Sequence, residues 1–184
     1  MKMQTATDTQ IRIASVKDAA LLSYAARISF YAAFADTSDP DDIANYLSEA
    51  FSFEQVTAEL SDSNNYFFIM ETAKHDVSGY AKLIARKTHQ CLPPHSQWWQ
   101  LHRFYLMPDY IGKGGALLLM NALKDFVYHA GGYGIWLATW TENKRAIRFY
   151  EKCGFEICGN DKFIMGKTVT CDYVMKWIAS KPNQ

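Results

Sequence analysis

Three glycines fall within four residues, at Gly112, Gly114 and Gly115, just after Tyr105-Leu106-Met107-Pro108 and just before the apolar run that starts at Ala116. Residue types predict a strand up to Leu106, a stop at Pro108 and a helix from Ala116. A glycine-rich turn between a strand and a helix leaves several backbone N–H groups unpaired and aimed at one point. The helix dipole adds partial positive charge there, so the chemistry on offer is the holding of a phosphate or pyrophosphate. Two common nucleotide loops do not fit. A Walker A loop ends in Gly-Lys-Ser/Thr, and Gly112-Lys113-Gly114 lacks the hydroxyl that would hold magnesium. A dinucleotide fingerprint needs G-x-G-x-x-G early in the chain and an acid about twenty residues on. Here the glycine spacing differs and the turn lies past mid-chain. In the strand before the turn, His102 titrates near neutral pH and can accept a proton directly or through water. Strict alternation puts His102, Phe104 and Leu106 on one face.

A second segment lies about thirty residues on: Thr141-Glu142-Asn143-Lys144-Arg145-Ala146-Ile147-Arg148-Phe149-Tyr150-Glu151-Lys152-Cys153-Gly154-Phe155. On a helix, Ala146, Phe149, Tyr150 and Cys153 share one face, and Gly154 is a C-terminal stop. This segment resembles the Asn-x-x-Ala-x-x-Phe-Tyr-x-x-x-Gly-Phe pattern of the GNAT N-acetyltransferases. Ile111-Gly112-Lys113-Gly114-Gly115-Ala116 resembles the same family's Gln/Arg-x-x-Gly-x-Gly/Ala turn at its fourth and sixth positions, with Ile111 where the family usually has Gln or Arg. Both motifs occur in the family's order and at its spacing. The resemblance extends to the PaiA-type polyamine acetyltransferases through Asp39-Pro40-Asp41-Asp42 with Tyr46–Phe51, through Ile135–Trp140, and through Phe163–Gly166 with Asp172–Lys176. It covers about residues 10–178.

The resemblance implies a GNAT fold, α/β with a central mixed, mostly antiparallel sheet flanked by helices, and transfer of acetyl from acetyl-CoA to a primary amine without a metal. It implies that the backbone of Phe104, Tyr105 and Leu106 meets the pantetheine arm and supplies oxyanion donors. By the same resemblance Ile111, Gly112, Lys113, Gly114, Gly115 and Ala116 hold the pyrophosphate, and Asn143 bonds the cofactor arm while capping the last helix. Tyr150 matches the tyrosine near the thioester sulfur, where a phenol suits a thiolate leaving group because their ordinary pKa values are comparable. His102 is the candidate base, with ordered water as the rival. The acceptor pocket falls by analogy to the first two helices and the final hairpin, with Phe30, Tyr31, Phe34 and Tyr46 as lining or as core. From Asp36 to Asp62 there are eight acids and no Lys or Arg, either a solvated face or an attraction for a cationic amine. A small amine or polyamine is the leading acceptor. Protein or peptide acetylation and a non-catalytic acetyl-CoA-binding module are the alternatives, and a homodimer is compatible with the family.

The elements that must position these residues follow from the pattern. Strands are expected at Gln10–Ala14, Tyr66–Thr72, Val77–Arg86, Gln97–Met107, Gly134–Trp140, Glu156–Met165 and Val169–Trp177. Helices are expected at Lys17–Phe34 with Ser15 as cap, after Pro40, from Ser52 to about Leu60, at Ala116–Ala130 and at Asn143–Cys153. At 184 residues and 49% hydrophobic content the chain suits a single domain with a real core, over residues 8–180, with polar ends at 1–8 and 181–184 expected to fray. Zero net charge gives no sign of nucleic-acid binding. Cys91, Cys153, Cys158 and Cys171 show neither zinc spacing nor a disulfide framework. No signal peptide or membrane-length apolar run is visible, so a cytoplasmic protein is the default expectation.

Overall fold

The computed structural model describes residues 9–179. The expected frayed ends and the outermost residues of the 8–180 domain lie outside the described residues. The elements run β1 (Thr9–Ile13), α1 (Ala19–Phe34), α2 (Pro40–Ala50), α3 (Phe53–Ser61), β2 (Asn65–Thr72), β3 (Val77–Ile84), β4 (Trp98–Leu106), α4 (Gly115–His129), β5 (Gly134–Trp140), α5 (Lys144–Lys152), β6 (Glu156–Met165) and β7 (Thr168–Ile178). The strands form one sheet in the order β1-β2-β3-β4-β5-β7-β6. Every neighbouring pair is antiparallel except β4 and β5. The α/β class and the mixed, mostly antiparallel sheet are thus as expected. Several boundaries shift by one or two residues: β3, expected to Arg86, ends at Ile84, and the α-helix expected from Lys17 begins at Ala19, because Val16–Asp18 winds as a 3₁₀ turn. There the Asp18 carboxylate accepts from the Ser15 N–H at 2.8 Å and binds Arg12 at 2.8 Å.

Local chemistry sets the other helix starts. Asp39 caps α2, its side chain accepting from the N–H groups of Asp41 and Asp42, with Pro40 in the first turn, where its missing N–H costs nothing. Ser52 caps α3 through the Gln55 N–H at 3.1 Å. The apolar faces then choose sides of the sheet. Leu119, Leu123 and Val127 of α4, Tyr150 of α5 and Cys153 just after it pack against Ile135, Leu137 and Met175 on one face. Leu22, Ala26 and Phe30 of α1, Ile43 of α2 and Val56 of α3 cover Ile69 and Tyr80 on the other. A smaller cluster of Leu92, Trp98, Trp136 and Val174 lies under the β3–β4 loop. Each such buried side chain contributes about 1.5–3 kcal/mol.

Part of the acidic stretch is spent on structure, while Asp36, Asp41, Glu49 and Glu54 are exposed. Asp42 accepts from the N–H groups of Lys167 and Thr168, each at 3.0 Å, and from the Thr168 hydroxyl at 2.9 Å, so it ties α2 to the tip of the β6–β7 hairpin. Gly166 turns that tip at φ +58°, and a Cβ there would collide with the Asp42 carboxylate. Glu59 meets Arg103 at 2.6 Å and Lys82 at 3.0 Å with all three side chains nearly buried. Burial alone would push the Glu59 carboxyl up, but the charges of Arg103 and Lys82 outweigh it and hold it below the ordinary range. Burial, with Arg103 beside it, keeps the Lys82 ammonium below its own usual range.

Glu59→Gln leaves two buried cations without their counter-charge. The expected loss is about 3–5 kcal/mol of stability, read by urea unfolding at pH 7. Because the native carboxyl titrates below its unfolded value, wild-type stability should fall as pH drops below the ordinary carboxylate range. The variant's profile should be flatter there. An unchanged midpoint at pH 7 would mean that the cluster is not a keystone.

Candidate active site

The sheet opens where the two motifs meet. β4 and β5 pair only at Trp98–Gly134, Trp99–Ile135 and Gln100–Trp136. Beyond Gln100 the strands part: β5 continues on β7 alone and β4 on β3 alone. The main-chain groups of Phe104–Leu106 on the β5 side therefore have no strand opposite them. A bulge accompanies the parting. Lys82 pairs with Arg103 and Leu83 with Leu101, so His102 is an extra residue in β4. Strict alternation fails there, and Leu101 and Phe104, three positions apart, both join the core on the α4 face. Phe104 and Leu106 keep the common face that alternation gives them, while His102, the extra residue, falls outside that alternation.

The turn after β4 matches the sequence reading closely. Gly112 and Gly114 have φ of +80° and +86°, a region that favours glycine. A Cβ on either would meet nothing within 4 Å, so the bare backbone faces open space. Gly114 is the N-cap of α4 and supplies no side-chain cap. Among the described residues, the N–H groups of five successive residues, Gly112 to Ala116, have no partner in the protein. Together with the dipole of α4 this is a concave set of donors suited to an anion.

A cavity of about 780 Å³ runs from this turn through the gap between β4 and β5. On the α4–α5 side it is lined by Phe104, Leu106, Ile111, Gly112, Gly114, Ala116, Asn143, Arg145 and Tyr150. On the α1–α2 side Phe30, Phe34, Tyr46, Tyr105, Asp161 and Asp172 line it, and His102 and Arg103 stand between the two arms. Phe30 is both core and wall. Its ring lies 4.7 Å from Tyr46, 4.6 Å from Phe34 and 6.3 Å from Tyr105. Tyr31 is not brought to this cavity. It points off the other side of α1, 57% exposed, into a shallow groove with Pro40 and Leu47. Lys113 is exposed and rests on the Tyr110 ring at 5.4 Å. Gly115 packs toward Met70, whose methyl would sit 2.9 Å from a Cβ there.

Asn143 caps α5 by accepting from the Ala146 N–H at 3.0 Å while lining the cavity, which leaves its amide group for a ligand. Tyr150 lies edge-on to Phe104 at 6.3 Å and to Phe149 at 5.5 Å. Its hydroxyl has no hydrogen-bond partner among the described residues, and burial raises its pKa, so the phenol stays protonated. His102 departs from expectation. Burial in the cavity wall, then the charges of Lys82 and Arg103, push its pKa down to about 4. Because the ring is also exposed to water, the direction carries the chemistry: His102 is neutral at pH 7 and does not titrate near 6.5.

Five charged cavity residues escaped the sequence reading: Arg103, Arg145, Asp161, Lys162 and Asp172. Arg145 adds a positive charge to the cavity wall on the α5 side. Asp161 and Asp172 sit directly opposite each other across β6 and β7. Asp172 is only 9% exposed. It accepts from the Thr170 hydroxyl at 3.1 Å, and burial, with Asp161 adding to it, raises its pKa. Counting outward from the Gly166 turn pairs the two aspartates, a signal that was present in the sequence. None of the eight acids between Asp36 and Asp62 lines the cavity.

Known proteins place this arrangement. The acetyltransferase (GNAT) family model matches residues 25–155. An uncharacterised N-acetyltransferase of Mycobacterium tuberculosis is 33% identical over 138 residues, 74% of this chain and 81% of that protein. In fold, the chain is similar to the PaiA N-acetyltransferase of Thermoplasma acidophilum in complex with coenzyme A, with TM-score 0.74, 23% identity, and 92% of this chain and 98% of that one covered. It is also similar to the spermidine N-acetyltransferase of Vibrio cholerae in complex with CoA and spermine, with TM-score 0.68, 19% identity, and 95% and 98% covered. With both motifs in place around a sheet that opens at the glycine turn, the chain belongs to the GNAT family and is an acetyl-CoA-dependent N-acetyltransferase.

Proposed function

We propose that the chain acetylates a small primary amine that carries a further positive charge, with a polyamine as the leading class. The observation that carries this reading is the cavity through the sheet, with unpartnered N–H donors at one end and paired carboxylates at the other. The donors of Gly112–Ala116 fit a pyrophosphate, and the free edge of Phe104–Leu106 fits an amide-bearing arm. Acetyl-CoA bound there supplies an activated acetyl thioester. Asn143 orients the cofactor arm with its free amide group. Tyr150 holds a proton on its phenol oxygen, in a position to pass it to a departing sulfur. The acceptor attacks the acetyl carbon as its neutral amine, and His102, itself neutral, takes directly or through water the proton that the nitrogen sheds as the C–N bond forms and the C–S bond breaks. The acceptor arm is apolar along Phe30, Phe34, Tyr46 and Tyr105 and anionic at Asp161 and Asp172. An aliphatic amine with a second cation suits that combination. The spermidine acetyltransferase fold of Vibrio cholerae is in keeping with this acceptor class.

A screen of acetyl transfer to polyamines, monoamines, amino acids and peptides tests the acceptor class. Efficient peptide acetylation without turnover of any polyamine would replace this reading with the protein-directed one.

Removing only the Tyr150 hydroxyl should separate proton donation from packing. Tyr150→Phe is expected to lower the chemical step by roughly 100-fold with acetyl-CoA affinity nearly unchanged. A loss under about threefold in a chemistry-limited assay would assign the ring to packing alone.

The depressed His102 pKa sets the pH profile. His102 is already neutral above about pH 5, so it should impose no break near 6.5. Instead kcat/KM for the amine should climb about tenfold per pH unit between about pH 6 and pH 8, following the neutral fraction of the acceptor. His102→Gln should lower the line without changing its slope. A break near 6.5 that disappears in the variant would contradict this.

If Asp172 receives the second charge, Asp172→Asn should cost a diamine about tenfold or more in kcat/KM, the scale of a charged hydrogen bond. A monoamine of equal length should lose much less. Equal losses for the two acceptors would remove Asp172 from recognition.

A further inference from the structure

The β3–β4 loop and the edge strand β6 bring four chemically active side chains together beside the cavity. The sulfurs of Cys91 and Cys158 are 2.8 Å apart although 67 positions separate them in the chain. Both thiols are free and partly accessible. The His89 Nδ1 lies 3.2 Å from the Cys91 sulfur. The Cys91 backbone N–H donates to that same nitrogen at 3.3 Å, so Nδ1 carries no proton and can take one from the thiol. On the far side of the ring, Nε2 lies 3.5 Å from the Asp161 carboxylate.

The fold builds this group deliberately on both sides. The loop is pinned by two indoles: Trp98 donates to the Pro93 carbonyl at 2.9 Å and Trp136 to the Lys87 carbonyl at 2.6 Å. The His89 ring packs on Trp136 at 5.2 Å. In β6, Ile157 pairs with Met175 and Gly159 with Val174, so Cys158 is the extra residue of a bulge and is re-aimed by it. Gly159 leaves room for the loop, since a Cβ there would stand 2.9 Å from that of Cys91. Burial, and then the neighbouring Cys91, push the Cys158 thiol up to about 12. The two thiols are therefore unequal, and the one with a base beside it is Cys91.

We propose that Cys91 and Cys158 form a reversible redox pair, with Cys91 as attacking thiol, His89 as its base, Cys158 as resolving thiol and a glutathione-type disulfide as oxidant. Cys91 gives its proton to His89 Nδ1, and the imidazolium is held by Asp161. The Cys91 sulfur attacks one sulfur of the oxidant. The oxidant's S–S bond breaks, and the first glutathione leaves as a thiolate that picks up a proton. The Cys158 sulfur then attacks the Cys91 sulfur, expelling the second glutathione, which takes up the proton that Cys158 loses. Two protein thiols are oxidised to one disulfide and one glutathione disulfide is reduced to two thiols. The resulting link joins the loop before β4 to the strand that carries Asp161, and so fixes one wall of the acceptor arm. Cys153 and Cys171 have no second sulfur beside them among the described residues and serve as internal controls.

The test reads mass and thiols, so its outcome is separate from that of any acetyl-transfer assay. The purified chain is treated with oxidised glutathione, alkylated and mapped by mass spectrometry. The wild type should lose two hydrogens, yield a Cys91–Cys158 cross-linked peptide, retain no glutathione at either position and stay monomeric on a non-reducing gel. Cys158→Ser should instead keep one glutathione on Cys91. His89→Gln, which leaves the Cys91 sulfur without the proton acceptor beside it, should slow that capping by about threefold or more. Two results would overturn the proposal: Cys91 staying reduced while exposed Cys171 takes up glutathione, or capping of Cys91 at an undiminished rate without His89.

Discussion

Everything in this molecule turns on the parting of β4 from β5 after three paired residues. A sheet that continued its pairing would bury the main-chain groups of Phe104–Leu106 in a ladder and seal the two faces from each other. Parted, it leaves those groups without partners, a cost of about 1–3 kcal/mol for each one kept from water. The structure accepts that cost in one place and offsets it with packed cores on both faces and a β5–β7 ladder running the length of β5. The gap also explains why the strand's bulge falls at His102, where β4 must bend away, and why the cavity reaches both faces.

The division of labour follows from that gap. On the α4 face the chain offers positive potential made of backbone: five N–H groups, a helix dipole and one arginine. On the α1 face it offers apolar rings ending in two carboxylates. The buried Glu59–Arg103–Lys82 cluster lies behind β4 and ties that strand and β3 to α3, so the wall beside the gap is held by charge as well as by packing. Its two cations also act on His102, favouring the neutral imidazole. One structural cluster thus sets the protonation state of a residue in the reactive region.

The sequence revealed the elements that obey short-range rules. Caps at Ser52 and Asn143, the glycine turn between strand and helix, and the shared face of Ala146, Phe149, Tyr150 and Cys153 were all legible, because each depends on neighbours within four positions. What stayed hidden depends on pairing across the chain. Strand alternation could not foresee that an extra residue at His102 would shift the register. The acids from Asp36 to Asp62 read as either a solvated face or an attraction for a cationic amine, yet Asp42 meets a hairpin tip 125 positions away and Glu59 meets Arg103 44 positions away. The carboxylates that do face the cavity, Asp161 and Asp172, are alone in their local sequence and become a pair only through hairpin register. Tyr31 was misplaced for a simpler reason: one step along α1 from Phe30 turns a side chain by about 100°, out of the cavity.

The central claim is that the unpartnered amides of the glycine turn and the free edge of β4 receive acetyl-CoA. Titrating ¹⁵N-labelled protein with coenzyme A and following each backbone amide by NMR measures this directly. The largest shifts and the strongest gain in exchange protection should fall on Gly112 to Ala116, with a second set on Phe104 to Leu106 and Asn143. Binding that leaves Gly112–Ala116 unmoved, with the shifts collected elsewhere on the sheet, would contradict it.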